Sequence, residues 1–157
     1  MIGKMEDGII NRNKNINRGF RKLEVWKEAI EFFVIVKKKV KEISGVSYKV
    51  KDQIEDSAFS VHSNIAEGYG RRFLKENIQF NNIALASIAE NYSQVYALLK
   101  AEIIDRKWFD IYDQKHYSLE NKLISYNKSQ IKQLQNKDDW HNDYMLRDII
   151  EQYGKED

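Results

Sequence analysis

From Leu23 to Leu134 apolar residues recur every three or four positions in four successive runs, and the 157-residue chain has no proline to interrupt them. That spacing gathers apolar side chains on one face of a helix. In the first run Trp26, Ile30, Phe33 and Val40 follow a 4-3-7 pattern, with Ala29, Val36 and Ile43 alongside. Lys37 falls on this seam and must snorkel out to water. Ser44-Gly45-Val46-Ser47 interrupts the run, and Gly45 suits a left-handed C-cap. The second run uses Ile54, Ala58, Val61 and Ile65, with small residues Ser57, Ala58 and Ser60 permitting close helix approach, and stops at Gly68-Tyr69-Gly70. A third helix is expected from about Lys75 to Glu102, roughly 40 Å at ~1.5 Å per residue. A fourth is expected after Asp105, a good N-cap, using Trp108, Ile111, Tyr112, Leu119, Leu123, Ile131 and Leu134.

No alternating run joined by a tight turn reads as a β-hairpin, apart from Asp7-Gly8 in the N-terminal arm. Connections of roughly four to seven residues place consecutive helices antiparallel. The expected fold is therefore all-α, an antiparallel up-down-up-down four-helix bundle over residues 20–137. A flexible polar and basic arm (1–19) precedes it, and an acidic extension (138–157) follows. In that extension Trp140, Tyr144, Met145, Ile149 and Ile150 are spaced for a short fifth helix from Asp139.

Zero cysteines exclude a disulfide scaffold, a zinc ribbon and a thiol nucleophile. With 42% hydrophobic and 12% aromatic residues the chain can bury a core, which argues against wholesale disorder. No apolar run approaches the ~18 residues of a bilayer crossing, and residues 1–22 lack the apolar core of a secretory signal. A cytoplasmic protein with no membrane partner is expected. The formal charge of +2 conceals a split: residues 138–157 carry two basic and seven acidic groups, so the remainder is +7. Such a division suits a basic surface for RNA or DNA, a tail that folds back onto that surface, or a merely solvated tail.

The third helix has an apolar arc of about 220°, roughly twice the ~100° stripe that one bundle core requires. Ile83, Phe80, Leu98, Ile88, Leu99, Tyr92 and Leu85 lie within it, as do Asn77, Asn81 and Asn91, which need partners if buried. Either this helix is central within one chain, or the surplus packs against another copy.

The most distinctive string runs from Ser63 to Arg72 and closes the second helix. Gly68 or Gly70 can take a positive φ and reverse the chain. Asn64 and Glu67 share a face and can bond one another or cap backbone. Arg71 and Arg72 sit where cations meet the negative end of the helix dipole. The bland interpretation is a polar αα-corner. The functional one makes Arg71 and Arg72 phosphate contacts and lets Tyr69 stack on a base. Lys37, Lys38, Lys39 and Lys41 span most of a helix circumference, which suits a solvated helix end. Pooled with Arg18, Arg21 and Lys22 they would instead neutralise several phosphates. Asp113-x-x-His116 and Asp138-x-x-His141 have i, i+3 geometry but lack the matching core acids of a di-iron bundle, so no metal is expected. His62 suits a buried or edge imidazole, and Gly68-x-Gly70 lacks the rest of a phosphate loop. No catalytic arrangement is discernible; neither an enzyme nor a cofactor is expected.

Phe20-Arg21-Lys22-Leu23-Glu24-Val25-Trp26-Lys27-Glu28-Ala29 resembles the opening signature of the four-helix bundle proteins encoded in 23S rRNA intervening sequences. Asn64-Ile65-Ala66-Glu67-Gly68-Tyr69-Gly70-Arg71 resembles the second signature of that family, and Asn82 to Glu90 its third, in the same order and spacing. The likeness covers residues 20 to about 134. It implies a bacterial bundle assembled as a homopentamer, with Asn64, Glu67, Gly68 and Gly70 as structural signature residues. The family is also similar in fold to the accessory protein of diversity-generating retroelements, which partners a reverse transcriptase and binds nucleic acid. His62 replaces the family's usual proline, and Phe73 a Ser/Thr-like helix cap.

Overall fold

A computed structural model describes residues 8–136. Within them every regular element is helical: one turn at 8–11, a 3-10 helix Ile16–Lys22, then α1 (Glu24–Glu42), α2 (Tyr48–Gly70), α3 (Leu74–Lys100) and α4 (Arg106–Gln135). The four long helices form a bundle in which α1 and α3 each pack against both α2 and α4. No described helix is long and apolar enough to cross a membrane. The fifth helix expected from Asp139 and the acidic extension lie outside the described residues.

Local chemistry explains most helix boundaries. Ser47 Oγ accepts from the Val50 N–H (3.4 Å) at the start of α2. Asp105 Oδ1 accepts from the Trp108 N–H (2.8 Å) at the start of α4, and this bond holds the Asp105 carboxyl below its usual range. Glu24, in the first turn of α1, is held low chiefly by its bond to Lys27 (2.7 Å). At the end of α3 the chain closes in a Schellman arrangement, with Ile103 N–H donating to Leu98 O (3.0 Å) and Glu102 at φ +59.

The core face of α1 is rotated from the expected seam. Val25, Ala29, Phe32, Val36 and Val40 are buried, whereas Trp26, Ile30 and Phe33 are half-buried one position away. Adjacent residues differ by about 100° around a helix, so a broad apolar face admits two competing stripes. Lys37 consequently lies beside the core and pairs with Glu55 of α2. Helix α2 buries Ile54, Ala58, Val61 and Ile65 as its spacing predicts. In α4 the buried line is Phe109, Tyr112, His116, Leu119 and Leu123; Ile111 and Ile131 are exposed.

Helix α3 carries more buried polar residues than any other described helix. Asn77, Asn81 and Asn91 are all buried. Asn91 Nδ2 donates to Ile54 O and to Ser57 Oγ (each 2.9 Å), while its Oδ1 accepts from the Tyr112 O–H (2.8 Å). Asn81 Nδ2 donates to Asn77 Oδ1 (3.0 Å) and to Asn127 Oδ1 (3.3 Å). Burial pushes the Tyr112 hydroxyl far above its ordinary value, so it acts here as a neutral donor. These bonds fix the register of α2, α3 and α4, because breaking one leaves a buried group that costs about 1–3 kcal/mol. The broad apolar arc of α3 is thus occupied within the chain: Leu85, Tyr92 and Leu99 pack against the core, and only its rim, Ile83 and Tyr96, is clearly exposed.

Candidate nucleic-acid interface

The end of α2 folds differently from its sequence expectation. Helical geometry continues through Gly70, and neither Gly68 nor Gly70 has a positive φ. Gly68 is a contact residue: a Cβ there would fall 2.7 Å from Phe80 Cβ and 3.3 Å from Asn77 O, so α2 and α3 approach too closely for any side chain. The left-handed residue is Arg72, at φ +65. Asn64 and Glu67 do not bond one another. Asn64 Nδ2 donates to Ser60 O and Ser60 Oγ (each 2.8 Å), and Glu67 pairs with Arg71 at 2.7 Å. That bond raises the Arg71 pKa above the usual guanidinium value, and the same guanidinium lies 5.1 Å from the centre of the Phe80 ring.

Tyr69 is not a stacking surface. Its side chain is buried, edge-on to Phe20 at 6.5 Å, and Phe20 packs in turn on Trp26 at 5.1 Å. The exposed aromatic at this end is Phe73, 64% exposed, which the sequence marks only as the replacement of a helix cap and not as a contact residue. It occupies the N-cap position of α3 and makes no side-chain capping bond. An aromatic where a Ser/Thr-like cap is usual was the available signal.

The segment expected to be a free arm up to residue 19 is packed from Ile16 onward. Ile16 is buried, and Asn15 Oδ1 accepts from the Arg18 N–H (3.1 Å) to start the 3-10 helix. Two arginines wrap the preceding turn. Arg18 donates to Asn13 O (3.3 Å), and Arg21 to Arg12 O (3.0 Å), Asn13 O (3.2 Å) and Ile9 O (3.4 Å). Arg72 reaches across to Asn17 Oδ1 (3.3 Å) and links this segment to the α2–α3 connection. Arg18, Arg21, Lys22, Arg71 and Arg72 therefore share one end of the bundle.

Lys37, Lys38, Lys39 and Lys41 do not join them. They occupy the other end of α1, whose 19 residues span about 28 Å. Besides the Lys37–Glu55 pair, Lys39 pairs with Glu42 (3.6 Å) and sits over Trp108, 5.2 Å from the ring centre.

Charge decides between the two ends. Residues 8–24 and 67–76, at the arginine end, hold eight Lys/Arg against three Asp/Glu, for +5. Residues 37–56 and 98–110, at the lysine end, hold nine against seven, for +2. The partners matter as well. Arg18, Arg21 and Arg72 bond to backbone carbonyls or an amide oxygen, which are neutral, so each keeps its whole charge for an anion. Lys22 and Lys75 are exposed and have no partner among the described residues. Of the arginine-end cations, Arg71 alone among those named here is neutralised by an acid.

The two described histidines are spoken for by packing. His116 is buried, with Nε2 2.9 Å from Ile88 O and its ring against Phe32 and Tyr92. His62 lies edge-on between Phe33 (5.6 Å) and Phe59 (4.6 Å), and burial lowers its pKa. Among the described residues no group of three His, Asp or Glu side chains converges as a metal site. Asp138 and His141 lie outside them.

No curated protein matches the chain significantly. The sequence model of the 23S rRNA-intervening sequence protein family matches residues 21–125, a span that takes in the bundle from the 3-10 helix to the middle of α4. By that match over two thirds of its length, the chain belongs to the 23S rRNA-intervening sequence protein family.

Proposed function

We propose that this protein is a non-catalytic, cytoplasmic, homo-oligomeric bundle, pentameric as its family resemblance implies, that binds nucleic acid through the arginine end of each subunit. Its four helices run up-down-up-down. Two contacts on each adjacent pair run in opposite chain directions and support that topology: Phe33–Phe59 with Lys37–Glu55, Ser57–Asn91 with Gly68–Phe80, Asn81–Asn127 with Asn91–Tyr112, and Glu28–Ser118 with Lys39–Trp108. The observation that carries the binding proposal is the +5 end, where the guanidinium groups of Arg18, Arg21 and Arg72 are anchored on neutral acceptors. Anchoring of that kind positions cations without cancelling them, which suits contact with a phosphate chain. One subunit offers a modest field; several copies multiply it through avidity.

Self-association has support in the apolar groups left uncovered, chiefly Phe59 beside Phe33, Val34 on α1, and Ile83 and Tyr96 on α3. Light scattering should give a mass several times 18.7 kDa, near fivefold for a pentamer; a clean single-chain mass refutes assembly. A gel-shift salt series should show RNA or DNA binding at ~50 mM salt that weakens steeply as salt rises. Absence of binding at the low-salt end rejects the nucleic-acid role. The same exposed rim of α3 favours the alternative: a scaffold that docks a polymerase-type enzyme such as a reverse transcriptase and has no nucleic-acid role. Capture of such an enzyme that survives nuclease and high salt would support it.

A further inference from the structure

We infer that Phe73 is a base-stacking platform, so that the nucleic acid bound at the arginine end is single-stranded and is read through an unpaired base. This rests on the nucleic-acid role proposed above. The first observation is exposure: the Phe73 ring is 64% exposed and makes no ring contact with any described aromatic residue. The second is position. Phe73 sits at the N-cap of α3, where Ser, Thr, Asp or Asn would accept a bond from the first helical N–H groups and phenylalanine accepts none. Stability alone therefore does not account for the residue. The third is company. Arg72 precedes it and Lys75 follows two residues later, within the +5 end and on neutral or no partners.

A π-face between cations in a net positive field fits a ligand that is both polyanionic and flat-faced. Nucleic acid answers both, and stacking requires a base free of the duplex. Tyr48 provides the contrast: it is 85% exposed but stands at the lysine end, where the net charge is only +2. The same exposed-aromatic chemistry is thus present at both ends, and the charge around it differs.

The test compares the intact protein with Phe73→Ser and Tyr48→Ser, using fluorescence anisotropy with labelled oligo(U), oligo(dT) and a duplex, each of about 20 nucleotides. Phe73→Ser supplies a capping hydroxyl and is expected to melt no lower than the parent, so lost binding is not lost folding. Its affinity for both single strands should fall roughly five- to hundredfold, with duplex affinity unchanged. A fall confined to oligo(U) or to oligo(dT) also supports the platform and names which of the two strands it binds. Tyr48→Ser should change none of these. Equal losses for single strand and duplex, or no loss, overturn the platform while leaving nucleic-acid binding intact. No binding by the parent protein overturns both. An unchanged affinity together with a lower light-scattering mass assigns Phe73 to a subunit contact instead, which also overturns it.

Discussion

The two ends of the bundle are built to different rules. At the lysine end Gly45 takes the positive φ of +75 that its loop needs, Ser47 and Asp105 cap the helices they precede, and the acids nearly balance the lysines. At the arginine end a glycine lies inside a helix and a phenylalanine stands where a cap belongs, whereas a left-handed residue other than glycine occurs at both ends, Arg72 here and Glu102 there. Positive charge there is less opposed, eight Lys/Arg against three Asp/Glu. Departures from local stability rules gather where a protein has something besides folding to do. Their coincidence with the stronger positive field is what singles out this end.

The largest expected effect tests why each end uses glycine. Gly68→Val should destabilise by about 3 kcal/mol, because Phe80 and the Asn77 backbone already fill the space. Gly45→Ala, with nothing within 4 Å of its Cβ, should lose only about 1 kcal/mol, the strain of a positive φ. Urea unfolding measures both, and equal losses would erase the distinction between close approach and backbone conformation.

A smaller effect compares the two left-handed residues that are not glycine at the helix connections. Arg72→Gly and Glu102→Gly should each stabilise by about 1 kcal/mol through relief of strain. They should part in binding. Only Arg72→Gly should reduce the slope of log affinity against log salt, by about one. An identical slope for both variants would place the phosphate contact elsewhere.

The smallest effect is a pH dependence away from both ends. Burial beside Phe33 and Phe59 lowers the His62 pKa, so in acid the unfolded chain takes up its proton first. Stability from this group is whole above the unfolded value of ~6.5 and declines as pH falls through it toward the folded value. His62→Gln should therefore lose less stability than the parent between about pH 7.5 and 5, as followed by thermal unfolding. Parallel losses would show that His62 contributes nothing to it.

Helix number, order and approximate ends were legible because periodicity and capping act within a few residues. Asp105 and Ser47 announce their helices, and Ile54, Ala58, Val61 and Ile65 name their own buried face. The site was half legible. Arg71, Arg72, Arg18, Arg21 and Lys22 do come together, but Tyr69 is buried and Phe73 takes the exposed place. Of the two readings of Lys37, Lys38, Lys39 and Lys41, the solvated helix end agrees with their place at the far end of α1. Pooling with the arginines does not occur within one chain; a charge count carries no information about which end of a helix its residues reach.

The sequence by itself determined that this chain makes four long helices and belongs to its family, because spacing of apolar side chains and local caps are short-range properties. Only the tertiary structure decided that the asparagines of α3 are buried and partnered, that Gly68 is a point of contact, and that Arg72 bears the turn. Those outcomes depend on which neighbour meets each face. Asn91 shows the reason: its polarity is costly alone and stabilising only once Ile54, Ser57 and Tyr112, distant in sequence, surround it.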